Sequence, residues 1–303
     1  MSKANIFKPV EAKSRQAAPA PETDAAAFRA VVDSRRSVRV YADDRVPEDV
    51  MDACLDAALK APNSSNLQAW EIHHVVDADK KAALVKACLS QPAAGTAPEL
   101  LVFVGRPDLW RRNNQWMIEA FDRKGDVSKG AYQYYRKITP LVYDQGAFGW
   151  RTPFKWAITR WRGRTKPYPR EPIGKWGMRI WAHKSTALAC AHFMLAMRAH
   201  GFDTCPMEGL DSARVKRILG LPRQALVTMV ISAAVRVSFS SFRATKTTLD
   251  APRLAASMAM AFPSPEEAPV TSTLEPRTRV GGVRLDATAH NKINAIIAAT
   301  AVQ

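Results

Sequence analysis

The sequence predicts an α+β fold, a mixed or antiparallel sheet flanked by helices, and three observations predict it. Helix-like and strand-like segments intermix without strict βα alternation, which argues against a doubly wound parallel sheet. Two short runs, Pro98 to Val104 (PELLVFV) and Ala225 to Val235 (ALVTMVISAAV), are largely apolar, as strands covered on both faces are. His183 to His200 is apolar nearly all round and is followed by Gly201, the pattern of a deeply buried helix with a glycine stop.

The elements follow in order. Residues 1–27 are rich in Ala, Pro and charge and lack the apolar stretch of a secretory signal, so they read as a disordered lead-in. Phe28 to Val32 begins a helical pattern that stops near Arg36, and Ser37 to Tyr41 (SVRVY) alternates as a short extended segment. Pro47, Glu48 and Asp49 start a helix, with acids in its first turn. Apolar residues at 51, 55, 58 and 59 continue it, and Pro62 ends it. Glu71 to Asp77 reads as a strand, Asp77 to Ser90 as a helix, and Ser212 to Pro222 as a further helix. The 303 residues suffice for a sizeable core, here placed at 28–236 with an irregular, partly helical stretch at about 106–179. Residues 237–303 have no Trp or Tyr and weak periodicity, and are expected to be mostly irregular.

Composition narrows the function. No run of eighteen apolar residues is present, which argues against a membrane-spanning helix. The four Cys, at 54, 88, 190 and 205, have no metal-ligand spacing and read as reduced residues of a cytoplasmic protein that holds no metal. The net charge of +16 is concentrated: Arg151 to Lys184 carries ten Lys or Arg against Glu171 alone. Seven of the eight Trp lie between Trp110 and Trp181. Such a stretch suits phosphates, an anionic membrane or nucleic acid, or is a solvated surface.

Three short pieces can carry chemistry. In Ala61 to Trp70 (APNSSNLQAW) amide and hydroxyl side chains cluster at a helix end, and the segment is expected to pack only through its ends. Asn66 and Gln68, two apart, project to one face if the backbone is extended. Asn and Gln match a heterocycle edge that alternates donors and acceptors; the alternative is a loop that caps helix carbonyls. Arg35, Arg36, Ser37 and Arg39 suit a phosphate, with guanidinium forks and a hydroxyl; the alternative is a solvated basic loop. Thr204 to Gly209 (TCPMEG) reads as a turn in which Pro206 removes a donor and Gly209 permits close backbone approach. No Ser-His-Asp or His-metal set accompanies them, and His183 and His192 read as packing or interface residues.

The order of these pieces, RRSVRVY, then VPEDVMDACLDAALKAPNSSNLQAWEIHHV, then GFDTCPMEGLDSARVKRILGLP, resembles the FMN-dependent nitroreductase family. The resemblance covers about 30–104 and 180–236 and leaves 106–179 as a variable insertion. It implies a three-layer α+β fold built as an intertwined homodimer, with FMN at two interface sites and NAD(P)H as co-substrate. It implies that Arg35 and Ser37 hold the phosphate, with Arg36 beside them, and that Arg39 and Asn66 meet the pyrimidine edge. Gln68 would lie near the ribityl chain or ring. Pro206, Met207, Glu208 and Gly209 would lie along one ring face, with the Glu208 N–H toward N5. It further implies ping-pong hydride transfer to a nitroaromatic, quinone or enone, although relatives also dehydrogenate or dehalogenate. Members usually end in a basic segment that adds phosphate contacts; the nearest counterparts are Arg277 and Arg279, and a divergent tail or a shifted reading frame both fit. The insertion could form a lid over aromatic acceptors or pack a dimer, and Phe148 to Arg164 could contact a membrane surface. A non-enzymatic single-strand nucleic-acid binder is the rival class, without an RRM, KH or zinc pattern to support it.

Overall fold

The structure is a computed structural model that describes residues 21–125, 127–236 and the backbone of 278–280. Its centre is a five-stranded sheet ordered β3-β4-β2-β1-β5. The strands are β1 (Trp70–Val75), β2 (Glu99–Gly105), β3 (Asp203–Met207), β4 (Leu226–Ala234) and β5 (Thr278–Val280). Neighbours are antiparallel except β5, which runs parallel to β1, so the sheet is mixed.

The helices are α1 (Ala25–Ser34), α2 (Glu48–Leu59), α3 (Ala78–Ala87), α4 (Pro92–Gly95), α5 (Trp110–Lys124), α6 (Lys129–Gln133), α7 (Thr139–Tyr143), α8 (Thr152–Arg162), α9 (Gly174–Ala199) and α10 (Ser212–Leu219). Period-two alternation sorts the strand residues onto two cores. Leu101, Phe103, Met229 and Ile231 meet α2 and α9 on one face. Leu100, Val102, Val104 and Val230 meet the layer of α3 and α10 on the other. With both faces covered, β2 is buried at every position, which explains its unbroken apolar run.

Several expectations are corrected. The lead-in ends earlier than residue 27, because the Asp24 carboxylate accepts from the N–H groups of Ala26 and Ala27 and starts α1 at Ala25. The buried helix is longer than 183–200: α9 begins at Gly174, nine residues sooner, inside the segment assigned to the insertion. Thr204 to Met207 is a strand and not a turn. Pro206 is tolerated there because β3 is the sheet edge: the Thr204 carbonyl faces outward to Val38, and Pro206, two residues on, turns its missing donor to the same outer side. Residues 106–179 are mostly helical, through α5 to α8 with a π-helical turn at Tyr134–Ile138. The tail expected to be irregular lies outside the described residues, apart from β5, whose Arg279 is level with His74.

Candidate functional site

The segment Arg35–Tyr41 leaves α1 and runs along the open edge of β3. Ser37 bridges Thr204 in parallel, the Val38 N–H donates to the Thr204 carbonyl at 3.3 Å, and Tyr41 bridges Arg236. Tyr41 is buried, with its hydroxyl 3.0 Å from Ser232 Oγ, and burial raises its pKa. Two of the three sequence pieces are therefore one local structure.

Arg35 is only 4% exposed, and its Nη1 has no partner. Burial lowers its pKa, as does Arg36, whereas Cys205 and Asp203 act in the other direction. Asp203 is itself engaged by Arg198 at 2.7 Å. Two residues beyond Arg35, Ser37 bridges Thr204, whose hydroxyl is also buried and unpartnered. A buried cation and a buried hydroxyl with unused donors are groups that an anion could satisfy. Arg36 is directed elsewhere: its Nη1 donates to the carbonyls of Asp33 at 2.6 Å and Arg35 at 2.9 Å, closing the end of α1. Ser37 is half-buried and Arg39 exposed, so burial falls along Arg35, Ser37 and Arg39 as the segment leaves α1.

Past Met207, which is buried, Glu208 and Gly209 are exposed, and the Gly209 carbonyl accepts from Gln91 Nε2 at 2.7 Å. Half-buried His183 on α9 has its Nδ1 3.1 Å from Thr228 Oγ1, and burial lowers its pKa.

The amide segment is not extended. Ser65, Asn66 and Gln68 all have positive φ, at 58°, 46° and 42°. Non-glycine residues in this region are strained and need support from their surroundings. Here Asn63 Oδ1 accepts the Gln68 N–H at 2.8 Å, and Asn113 Nδ2 donates to the carbonyls of Leu67 at 2.7 Å and Gln68 at 3.1 Å. Tyr143 Oη lies 2.7 Å from Ser64 Oγ and 3.0 Å from Ser65 Oγ, Tyr134 Oη lies 2.7 Å from Ser65 Oγ, and Tyr135 donates to the Ser65 carbonyl at 3.0 Å. Leu67 is wholly buried among Trp110, Met117 and Trp181, so the segment packs through its middle as well as its ends. Gln68 Nε2 returns to the Leu59 carbonyl at 3.4 Å, whereas Asn66 Nδ2 is buried with no partner.

Sequence reasoning missed the supporting groups Asn113, Tyr134, Tyr135 and Tyr143, and gave no separate role to Asn63 and Thr204 within the pieces it singled out. Asn113 and the tyrosines lie 45 to 79 residues from the atoms they hold, and no local pattern announces such pairs.

The two halves do not meet within one chain. Thr204 is level with Ala233 and Glu99, and Trp70 with Gly105, so the halves are six residues apart along β2, or ~20 Å. Three inter-strand spacings separate β3 from β1 and add ~14 Å sideways, so Thr204 and the start of β1 stand roughly 25 Å apart.

The profile of the nitroreductase family matches residues 32–234. A protein of Thermus thermophilus named NADH dehydrogenase is 28% identical over 198 residues, 65% of this chain and 81% of its own length. A 4-nitrobenzoate reductase of a Nocardioides species is 32% identical over 95 residues, 31% of this chain and 38% of that enzyme. Among solved structures, a protein of Exiguobacterium sibiricum in complex with FMN superposes with a TM-score of 0.53 at 19% identity, covering 78% of this chain and 96% of that one. Because the matched profile spans the edge segment, the amide loop and β1 to β4 together, the chain belongs to the nitroreductase family and is an enzyme of the flavin oxidoreductase type.

Proposed function

We propose that this protein binds FMN between two copies of the chain and uses it to reduce a nitroaromatic, quinone or related aromatic acceptor at the expense of NAD(P)H. The observation that carries this reading is the set of buried polar atoms without partners, Arg35 Nη1, Thr204 Oγ1 and Asn66 Nδ2, found in the three pieces that the sequence singled out. Their chemistry fits the cofactor. Arg35 and Ser37 would hold the phosphate, and Asn66 would donate to a carbonyl of the ring edge, with Arg39 and Gln68 nearby. Glu208 and Gly209 are exposed just past the end of β3, and with Pro206 and Met207 before them they would lie along one face of the ring. FMN, when bound, supplies a two-electron carrier that accepts hydride at N5.

The separation of roughly 25 Å between the halves is too wide for one mononucleotide to bridge. A twofold dimer that sets the amide loop of one copy against the Arg35 edge of the other makes two equal composite sites. Within such a site the tyrosine-held loop contributes orientation, since its polar groups are fixed before any ligand arrives. The acceptor class is supported by the Nocardioides relative, named for 4-nitrobenzoate.

Reconstitution tests the reading. Protein mixed with FMN and passed through gel filtration is expected to elute as a dimer carrying a flavin band, which bleaches with anaerobic NAD(P)H. Elution without flavin overturns it. The Arg35→Met substitution is expected to leave the cofactor-free protein as stable or more so, because a buried guanidinium with an unsatisfied Nη1 is removed. The same change weakens FMN binding roughly 10- to 100-fold through loss of a charge-assisted contact.

A further inference from the structure

The helix α8 is folded with its polar side inward. Of its eleven residues only Thr159 is buried, and half-buried Lys155 reaches in to donate to the Val142 carbonyl at 2.8 Å. Turned roughly 110° from that side, Phe154, Ile158 and Trp161, at i, i+4 and i+7, form an exposed stripe, with Phe154 63% and Trp161 69% exposed. Trp150 extends the stripe by one turn and packs edge-on to Phe154 at 6.1 Å. Cations border it: Arg160 stands over the Trp156 ring and Arg162 over the Tyr168 ring.

We propose that α8 is a membrane-surface helix that lays this stripe into the headgroup region of an anionic lipid bilayer. A helix with an apolar stripe, Trp and Phe on it and Arg along its borders has the arrangement that binds in the plane of an interface. Charge selects the occupant. Residues 151–184 carry ten Lys or Arg and one acid, so a leaflet of anionic lipid complements the patch while a second copy of this chain brings a like charge against it. A nucleic-acid strand would need free ring faces in a groove. Here the stripe lies on an exposed helix surface and includes aliphatic Ile158, and Arg160 and Arg162 already stand over the Trp156 and Tyr168 rings. Among the described residues no helix is long and apolar enough to cross a membrane, so the mode is contact with the surface. An enzyme held there would draw its acceptors from lipid-soluble molecules, but the proposal does not rest on the flavin reading.

The test is cosedimentation of the full-length protein with phosphatidylglycerol–phosphatidylcholine vesicles, read beside tryptophan emission. Pelleting with a blue-shifted emission is expected with anionic vesicles and not with phosphatidylcholine alone. Because other basic residues can attract vesicles, variants of α8 decide the assignment. Phe154→Ser with Trp161→Ser is expected to lower partitioning by roughly tenfold or more. Arg160→Gln and Arg162→Gln are each expected to lower it roughly fivefold. Circular dichroism and elution volume stay unchanged, since these side chains are exposed. Absence of pelleting with anionic vesicles overturns the proposal, and so does pelleting that the α8 variants do not alter. A change of oligomeric state in the serine variant would assign the stripe to a second copy instead. Retention by single-stranded oligonucleotide without vesicle binding would assign it to nucleic acid.

Discussion

The helices α5 and α8 are built from the same materials and used in opposite senses. Both lie in the segment 106–173, both carry Trp and Arg, and both have an apolar side. In α5 that side, with Trp110, Met117, Ile118 and Phe121, is buried against Leu67, Tyr135 and Trp181. In α8 the apolar side faces out and Thr159 faces in. The difference teaches that amphipathicity sets which side of a helix is apolar, while its neighbours decide whether that side points into the protein. The two helices also divide the work: α5 and the tyrosines packed on it shape the amide loop, and α8 is free to meet something else.

The largest effect expected from this contrast is on stability. Phe121→Ala should destabilise by ~3–5 kcal/mol, as deletion of a buried aromatic does, whereas Trp161→Ala should stay within ~0.5 kcal/mol. Urea midpoints measure both, and equal losses would break the comparison by showing that Trp161 is covered.

The joint between the two helices comes next. Gly146 has φ of +74°, and a Cβ there would lie 2.6 Å from the Trp150 ring. Gly146→Ala should therefore cost roughly 1–2 kcal/mol in backbone strain alone and loosen the start of α8, which proteolysis after Arg151 would register. Tyr143→Phe removes one hydroxyl from both Ser64 and Ser65 and should cost ~1 kcal/mol. It should also weaken FMN binding, because the left-handed loop loses a support, while vesicle partitioning stays as before. Loss of both properties would mean that the loop and α8 are one unit.

The smallest effect concerns Lys155, on the inner side of α8. Burial lowers its pKa below the ordinary 10.5; Asp144 opposes this and Arg151 adds to it. The unfolded chain then holds the proton more tightly than the folded one. Stability should rise with pH in the window just below 10.5 and be lower beneath it. The slope is slight, since the side chain is only half-buried and solvent screens its charge. Lys155→Met should abolish it in thermal melts taken across that window.

Much of the sheet was legible in sequence. The apolar runs of β2 and β4 and the period of α2 report burial directly, because each residue's partner type follows from its own side chain. The first turns of α9 were hidden because Gly174, Lys175, Trp176 and Gly177 break its apolar pattern, and β3 was hidden because Pro206 and Gly209 resemble a turn. Asn66 stood out in the sequence, but its left-handed backbone did not, since the groups that hold it come from Asn113, Tyr134, Tyr135 and Tyr143.

The sequence by itself determined the α+β class, the positions of most strands and helices, and the residue types that could grip a phosphate and an amide-matching ring edge. These follow from local periodicity and side-chain chemistry. Only the tertiary structure decided that the segment after Arg35 runs along β3 at Thr204, that Arg36 turns away to close α1, that Thr204 stands roughly 25 Å from the start of β1, where the amide loop ends, and that α8 leaves its apolar stripe exposed. Each of these depends on contacts between residues far apart in the chain, and such contacts leave no period for a sequence to display.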